Sequence, residues 1–177
     1  MKLGLKKDEV LLVPHTSEWD AEFIKIKQQI QKHTQIENNR IEHIGSTSIK
    51  GIMAKPIVDI VVGLDEINQI EKPVTDGFKK AGFLRLRIER LGEVVFAKFT
   101  DDTSEEKTHF IHLVEYEKEL WKNLIFFRDY LNSHETIRKE YEQLKLDYVK
   151  KSDKGILAYT DHKEEFVKGI YAKRLNG

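Results

Sequence analysis

The sequence contains no cysteine, which excludes disulfides, thiolate metal ligands and cysteine nucleophiles. It also lacks net charge, since its 30 basic residues are cancelled by 30 acidic ones. A neutral chain without a basic, aromatic-interleaved face argues against nucleic acid or an acidic membrane as partner. Basic clusters are only local, at Arg85, Arg87 and Arg90 and at Lys150-Lys151. No segment approaches the ~20 apolar residues of a membrane span, and the opening residues lack the apolar core of a signal peptide. The expectation is a cytoplasmic protein with no membrane association. Proline occurs only at positions 14, 56 and 73, so each one is informative punctuation.

What is present fits one α+β domain. Apolar residues make up 40% of the 177, enough for a core, while 34% charged residues supply a polar surface. The chain is organised around residues 40–64. Residues 40–44 read as a short strand running into Gly45-Ser46-Thr47-Ser48, a glycine turn followed by three hydroxyls. Gly51 and Pro56 leave room for only a loop or one helical turn before residues 57–64, an apolar run that reads as a buried strand. Asp59 interrupts that run. A carboxylate inside a buried strand is costly unless it is paired, metal-bound or facing a cleft.

Around this stretch, residues 9–13 read as a strand ended by Pro14, and Thr16 or Ser17 caps a helix to about His33, with Trp19, Phe23, Ile26 and Ile30 as its buried stripe. His15 and His33 sit near breaks and read as solvated. Asp65 can cap a helix over 66–81 that Pro73 interrupts. Residues 83–89 and 93–100 form a hairpin about Leu91-Gly92, and residues 107–115 a further strand. From residue 116 the apolar period lengthens to a helical one: Leu120, Leu124, Phe127 and Leu131 line one helix, and Ile137, Tyr141, Leu144 and Tyr148 the next. Asp161 with Glu164 reads as a capping box for the last helix. The sheet core spans about 9–115, and the helices of about 116–175 pack against it.

A glycine turn followed about a dozen residues later by an acidic residue in an apolar strand resembles the nucleotidyltransferase superfamily of the DNA polymerase β type, whose signature is h-G-[GS], a spacer, then D-h-[DE]-h. The match is Ile44-Gly45-Ser46 and Asp59-Ile60; Val61 stands where the second carboxylate belongs, on the same face of the strand as Asp59. Asp65 lies six residues from Asp59, roughly 20 Å along a strand, and cannot substitute. Over most of its length the sequence is similar to the GrpB family. Trp19, 41–48, 54–60, 109–112, 127–131, 141–145 and 159–166 carry that resemblance. It implies the nucleotidyltransferase fold, a mixed sheet packed with helices plus a helical C-terminal subregion.

The resemblance implies a divergent nucleotidyltransferase-like protein acting on, or binding, a nucleotide or phosphorylated small molecule. Gly45, Ser46 and Thr47 would cradle phosphate, Asp59 would bind Mg²⁺ or another divalent metal, and Lys55 and Arg128 would offset charge. Lys55 is held extended by Pro56, Lys50 is a weaker candidate, and Arg128 on an apolar stripe needs a phosphate or a carboxylate, with Asp129 pointing elsewhere. The strand expected beside Asp59 carries His109 and His112 on opposite faces, and His112 is favoured to face the cleft. His43, Asp59 and His112 form either a metal-ligand set or a metal-free histidine–carboxylate network, with His112 or His43 as acid–base. The missing second carboxylate leaves open a catalytically inactive nucleotide- or partner-binding module.

Overall fold

A computed structural model describes residues 1–6, 9–88, 90–103, 105–151 and 156–177. Its centre is β3 (Val58–Leu64), whose apolar residues point alternately to two covered faces. β2 (Ile41–Ile44) pairs antiparallel with one side of β3 and β6 (Glu106–Glu115) pairs parallel with the other. β5 (Glu93–Phe99) and β4 (Phe83–Arg85) continue the sheet, giving the order β2-β3-β6-β5-β4. The short β1 (Leu5–Lys6) pairs antiparallel with residues 106–107, before the point where β3 begins its own pairing with β6 at Val58↔His109.

The register assigns faces. Ile60, Val62, Ile111 and Leu113 face α1 (Glu18–Thr34) and α2 (Lys72–Lys80), in a core with Trp19, Ile26, Ile30, Phe78, Phe83 and Phe96. The opposite face carries Ile44, Val61 and Val114, which pack on Trp121 of α3 (Glu119–Ser133). α4 (Glu135–Lys151) and α5 (Ile156–Asn176) complete the chain.

Several expectations are corrected. The segment 9–13 makes only an isolated bridge, Val13↔Ala54, and the strand of this region is β1. Pro73 does not interrupt a long helix; it sits in the first turn of α2, where its missing N–H costs no bond, and residues 66–71 are not helical. β4 ends at Arg85, and Glu89 lies outside the described residues. α5 begins at Ile156, so its first turn precedes Asp161 and the capping-box reading fails. His15 is partly buried with its ring edge-on to Trp19, 5.5 Å between centroids. Among the described residues, α3 is the C-terminal helix that covers the sheet. The others join Phe127 and Leu131 in a second core around Ile49 and Ile52, built on the 45–57 loop.

Candidate functional site

The turn between β2 and β3 is shaped by one close approach. Gly45 has φ +70°, and a Cβ there would lie 2.5 Å from Asp59 Oδ2, so glycine alone lets the turn close over that carboxylate. Residues 46–48 then form a single 3₁₀ turn, in which the Ser48 hydroxyl and N–H both donate to Gly45 O, at 2.7 and 3.2 Å. The following loop is strapped to the C-terminal helices. Asn132 accepts from Lys50 N and donates to Ser48 O, both at 3.0 Å. Glu142 accepts from Met53 N at 2.6 Å, and the Lys145 ammonium donates to Met53 O.

Asp59 is paired from the neighbouring strand. The β3–β6 register sets His112 beside Val61, on the Asp59 face, with its Nε2 3.1 Å from Asp59 Oδ1. Its Nδ1 meets Glu93 Oε1 from β5. Burial alone would hold the imidazole neutral, but the hydrogen bonds to Asp59 and Glu93 outweigh it and push its pKa up to about 9. Burial disfavours the Glu93 carboxylate too, yet the bond to His112 leaves it below the usual carboxylate range. At neutral pH the imidazole is protonated between its two acidic partners.

In front of Asp59 opens a cavity of about 330 Å³ lined by Ser46, Lys55, Asp59, Phe110 and Tyr148, by Leu5, Leu12 and Ile57, and by Lys6, Lys107, Lys145, Lys163 and Glu9. Among the described residues, five lysines thus meet two carboxylates. Lys145 is buried, with its ammonium 4.7 Å from the Tyr141 ring centre, and burial pushes its pKa down to about 7, assisted by nearby Lys163. Burial likewise lowers Lys55, and Lys163 adds to the effect. Like-charged amines crowded around one concavity create the potential that an anion would relieve.

Of the residues singled out in the sequence, Gly45, Ser46, Lys55 and Asp59 come together here, with His112 behind Asp59. His43 does not join them. It pairs with Ile60, so its ring lies on the opposite face, stacked on Phe23 at 5.0 Å and 3.3 Å from Asp20. Burial lowers its pKa, partly opposed by Asp20. Thr47 is buried, with its hydroxyl 2.9 Å from His43 Nε2, so its side chain is turned from the cavity. Arg128 binds Glu42 (2.7 Å), His43 O (2.9 Å) and, contrary to expectation, Asp129 (2.8 Å), which makes it a brace between α3 and β2. Lys50 is exposed. His109 faces the other side, where burial pushes its pKa down to about 4 although Glu22 lies 3.3 Å away.

Sequence reasoning missed Glu93, Lys145, Lys107 and Lys163 as site neighbours. Lys145 carried a signal, lying four residues after Tyr141 and so on its helical face, where a lysine enters the buried stripe. Glu93 carried none, because only the β5–β6 pairing brings it to His112.

As for metals, among the described residues no group of three or more histidine and carboxylate side chains is placed to hold an ion. Each ring nitrogen of His112 faces a carboxylate oxygen, so both are donors and neither offers a lone pair. Val61, at the second acidic position, is fully buried. The donor set therefore does not fit the divalent cation that the fold resemblance implies.

A family profile described as GrpB protein matches residues 9–173. The glutamate-rich protein GrpB of Alkalihalophilus pseudofirmus is 42% identical over 95% of this chain and 97% of its own length. The Bacillus subtilis protein YqkA is 26% identical over 92% of this chain, which spans only 46% of that relative. A crystal structure of the conserved protein GrpB from Enterococcus faecalis superposes with a TM-score of 0.78 at 24% identity, covering 94% of this chain and 98% of that one. The Cid1 poly(U) polymerase with MgGTP bound matches with a TM-score of 0.51 at 10% identity, over 78% of this chain and 44% of that one. That match supports a nucleotidyltransferase-like fold.

Proposed function

We propose that this chain, which belongs to the GrpB family, binds a nucleotide or another small molecule carrying several phosphates in the cavity over Asp59. The observation that carries the reading is the cavity lining. Lys6, Lys55, Lys107, Lys145 and Lys163 line the cavity together with Ser46 of the glycine turn, and one of them is held inside the protein. A desolvated ammonium is expensive to keep, and an anionic ligand is the partner that offsets its cost. Phe110 and Tyr148 supply flat apolar surface for a base or similar ring.

Transfer of a nucleotidyl group is the second reading, and Asp59 at the signature position favours it. Against it stands Val61, because the two-metal route uses two or three carboxylates. Binding is the function the geometry supports best, in agreement with a catalytically inactive module.

Isothermal titration of the protein with ATP, GTP, UTP and inorganic tripolyphosphate tests the proposal. At least one of these should bind, and Lys55→Ala and Lys145→Met should each weaken it about tenfold or more, as losing a charge-assisted hydrogen bond does. Absence of binding across the panel, or equal affinity in both variants, would refute the reading.

A further inference from the structure

We infer that this site takes its phosphate ligand without a divalent cation, the lysines standing where a relative with the full signature would use metal. The inference rests on the binding function just proposed and concerns how that ligand's charge is met.

Three features carry it independently. First, Asp59 already has a hydrogen-bonding partner: His112 Nε2 is 3.1 Å away, and the ring is held from behind by Glu93. An ion approaching Asp59 Oδ1 from the His112 side would meet an N–H rather than an electron pair. Second, the neighbouring ligand position is committed to packing. Val61 shares the Asp59 face, is fully buried, and sits among Ile44, Val114 and Trp121, so the surface that would carry a second carboxylate is instead the seat of α3. Third, among the described residues the cavity lining has an excess of three amines over carboxylates, including Lys145 fixed to Met53 O and Lys55 ahead of Pro56. A site built for a metal–phosphate complex needs carboxylates to hold the metal. This one presents ammonium groups to the phosphates themselves.

The Gly45 turn follows the same logic. Its close approach sets Asp59 Oδ2 against the turn, while Oδ1 accepts from His112 Nε2. Asp59 then acts as a positioning residue, holding His112 and the turn in register.

The experiment is titration of ATP and of tripolyphosphate into the wild-type protein in excess EDTA and again in excess Mg²⁺. The expected result is full affinity in EDTA and an affinity at least fivefold weaker in Mg²⁺, which competes with the lysines for the same oxygens. Binding that weakens tenfold or more in EDTA would overturn this inference while leaving the binding function intact. No binding in either buffer would sink the binding function, and this inference with it. Electron paramagnetic resonance of Mn²⁺ added to the protein gives a second readout. The ion should remain free, and an Mn²⁺ signal from bound ion that Asp59→Asn abolishes would also overturn the inference.

Discussion

His112 and Lys145 are two groups near the cavity whose protonation the fold shifts in opposite directions. With a pKa of about 9, above the ordinary histidine value, His112 contributes stability that is fully present below about pH 6.5 and lost as pH rises to 9. The contribution is about 3 kcal/mol at most. Lys145 runs the other way. Its folded pKa of about 7 lies below the unfolded one, so the unfolded chain holds more protons from pH 7 to ~10.5 and stability rises there. The wild-type profile should therefore be shallow, and only a difference isolates either group. Urea unfolding of His112→Asn should show a deficit that is largest near pH 6 and shrinks by pH 9.5. A deficit that does not change with pH would contradict the ion-paired imidazolium. Lys145→Met should be more stable than wild type near pH 6.5, by up to about 4 kcal/mol after ~1 kcal/mol for the lost bond to Met53 O, with the gain fading toward pH 10. Gly45→Ala combines a left-handed backbone with a 2.5 Å approach to Asp59, so a loss of about 2–4 kcal/mol is expected by denaturation.

At the scale of elements, α1 and α2 meet through Gly77, where a Cβ would stand 2.5 Å from the backbone oxygen of His33. Alanine gains about 1 kcal/mol of helix propensity over glycine, but the obstacle is backbone that cannot rotate away. Gly77→Ala should therefore destabilise, by about 1–3 kcal/mol in thermal or urea unfolding, and a gain in stability would show that the two helices can separate freely. Elements with a strong period were legible. α1 with its Trp19 stripe, β3 with its apolar run and β6 with its alternation stand where local pattern placed them. Pro73 misled because a proline inside a pattern and a proline that starts a helix look alike until the flanking residues are seen to be extended. Parity of residues along β6 correctly put His109 and His112 on opposite faces, and Asp59 beside His112 followed from the fold resemblance. The place of His43 was not legible, because the face it occupies depends on the β2–β3 register, which no local signal sets. For the same reason Arg128 looked like a phosphate ligand: its partners, Glu42 and the His43 carbonyl, lie more than eighty residues away in sequence.

At the scale of the whole molecule, the cavity depends on segments from both ends of the chain. Leu5 and Lys6 reach it through the pairing of β1 with β6, and Lys145 and Lys163 through the C-terminal helices. Much of the sheet hangs on β6, which is hydrogen-bonded to β1, β3 and β5 and is the last strand in the sequence. That order has a kinetic consequence. During synthesis, β3 has only β2 to pair with until residue 115 has left the ribosome, and the exposed edge of β3 must wait unpaired in the meantime. Contacts of such long sequence separation place refolding in the slower, non-local regime. The two tryptophans report on it separately, since Trp19 is buried under one face of the sheet and Trp121 under the other. In stopped-flow refolding, Trp19→Phe and Trp121→Phe variants should show the same rate constant, because both faces come into being when β6 inserts. Two different rates would mean that the helical layers assemble before their strand arrives.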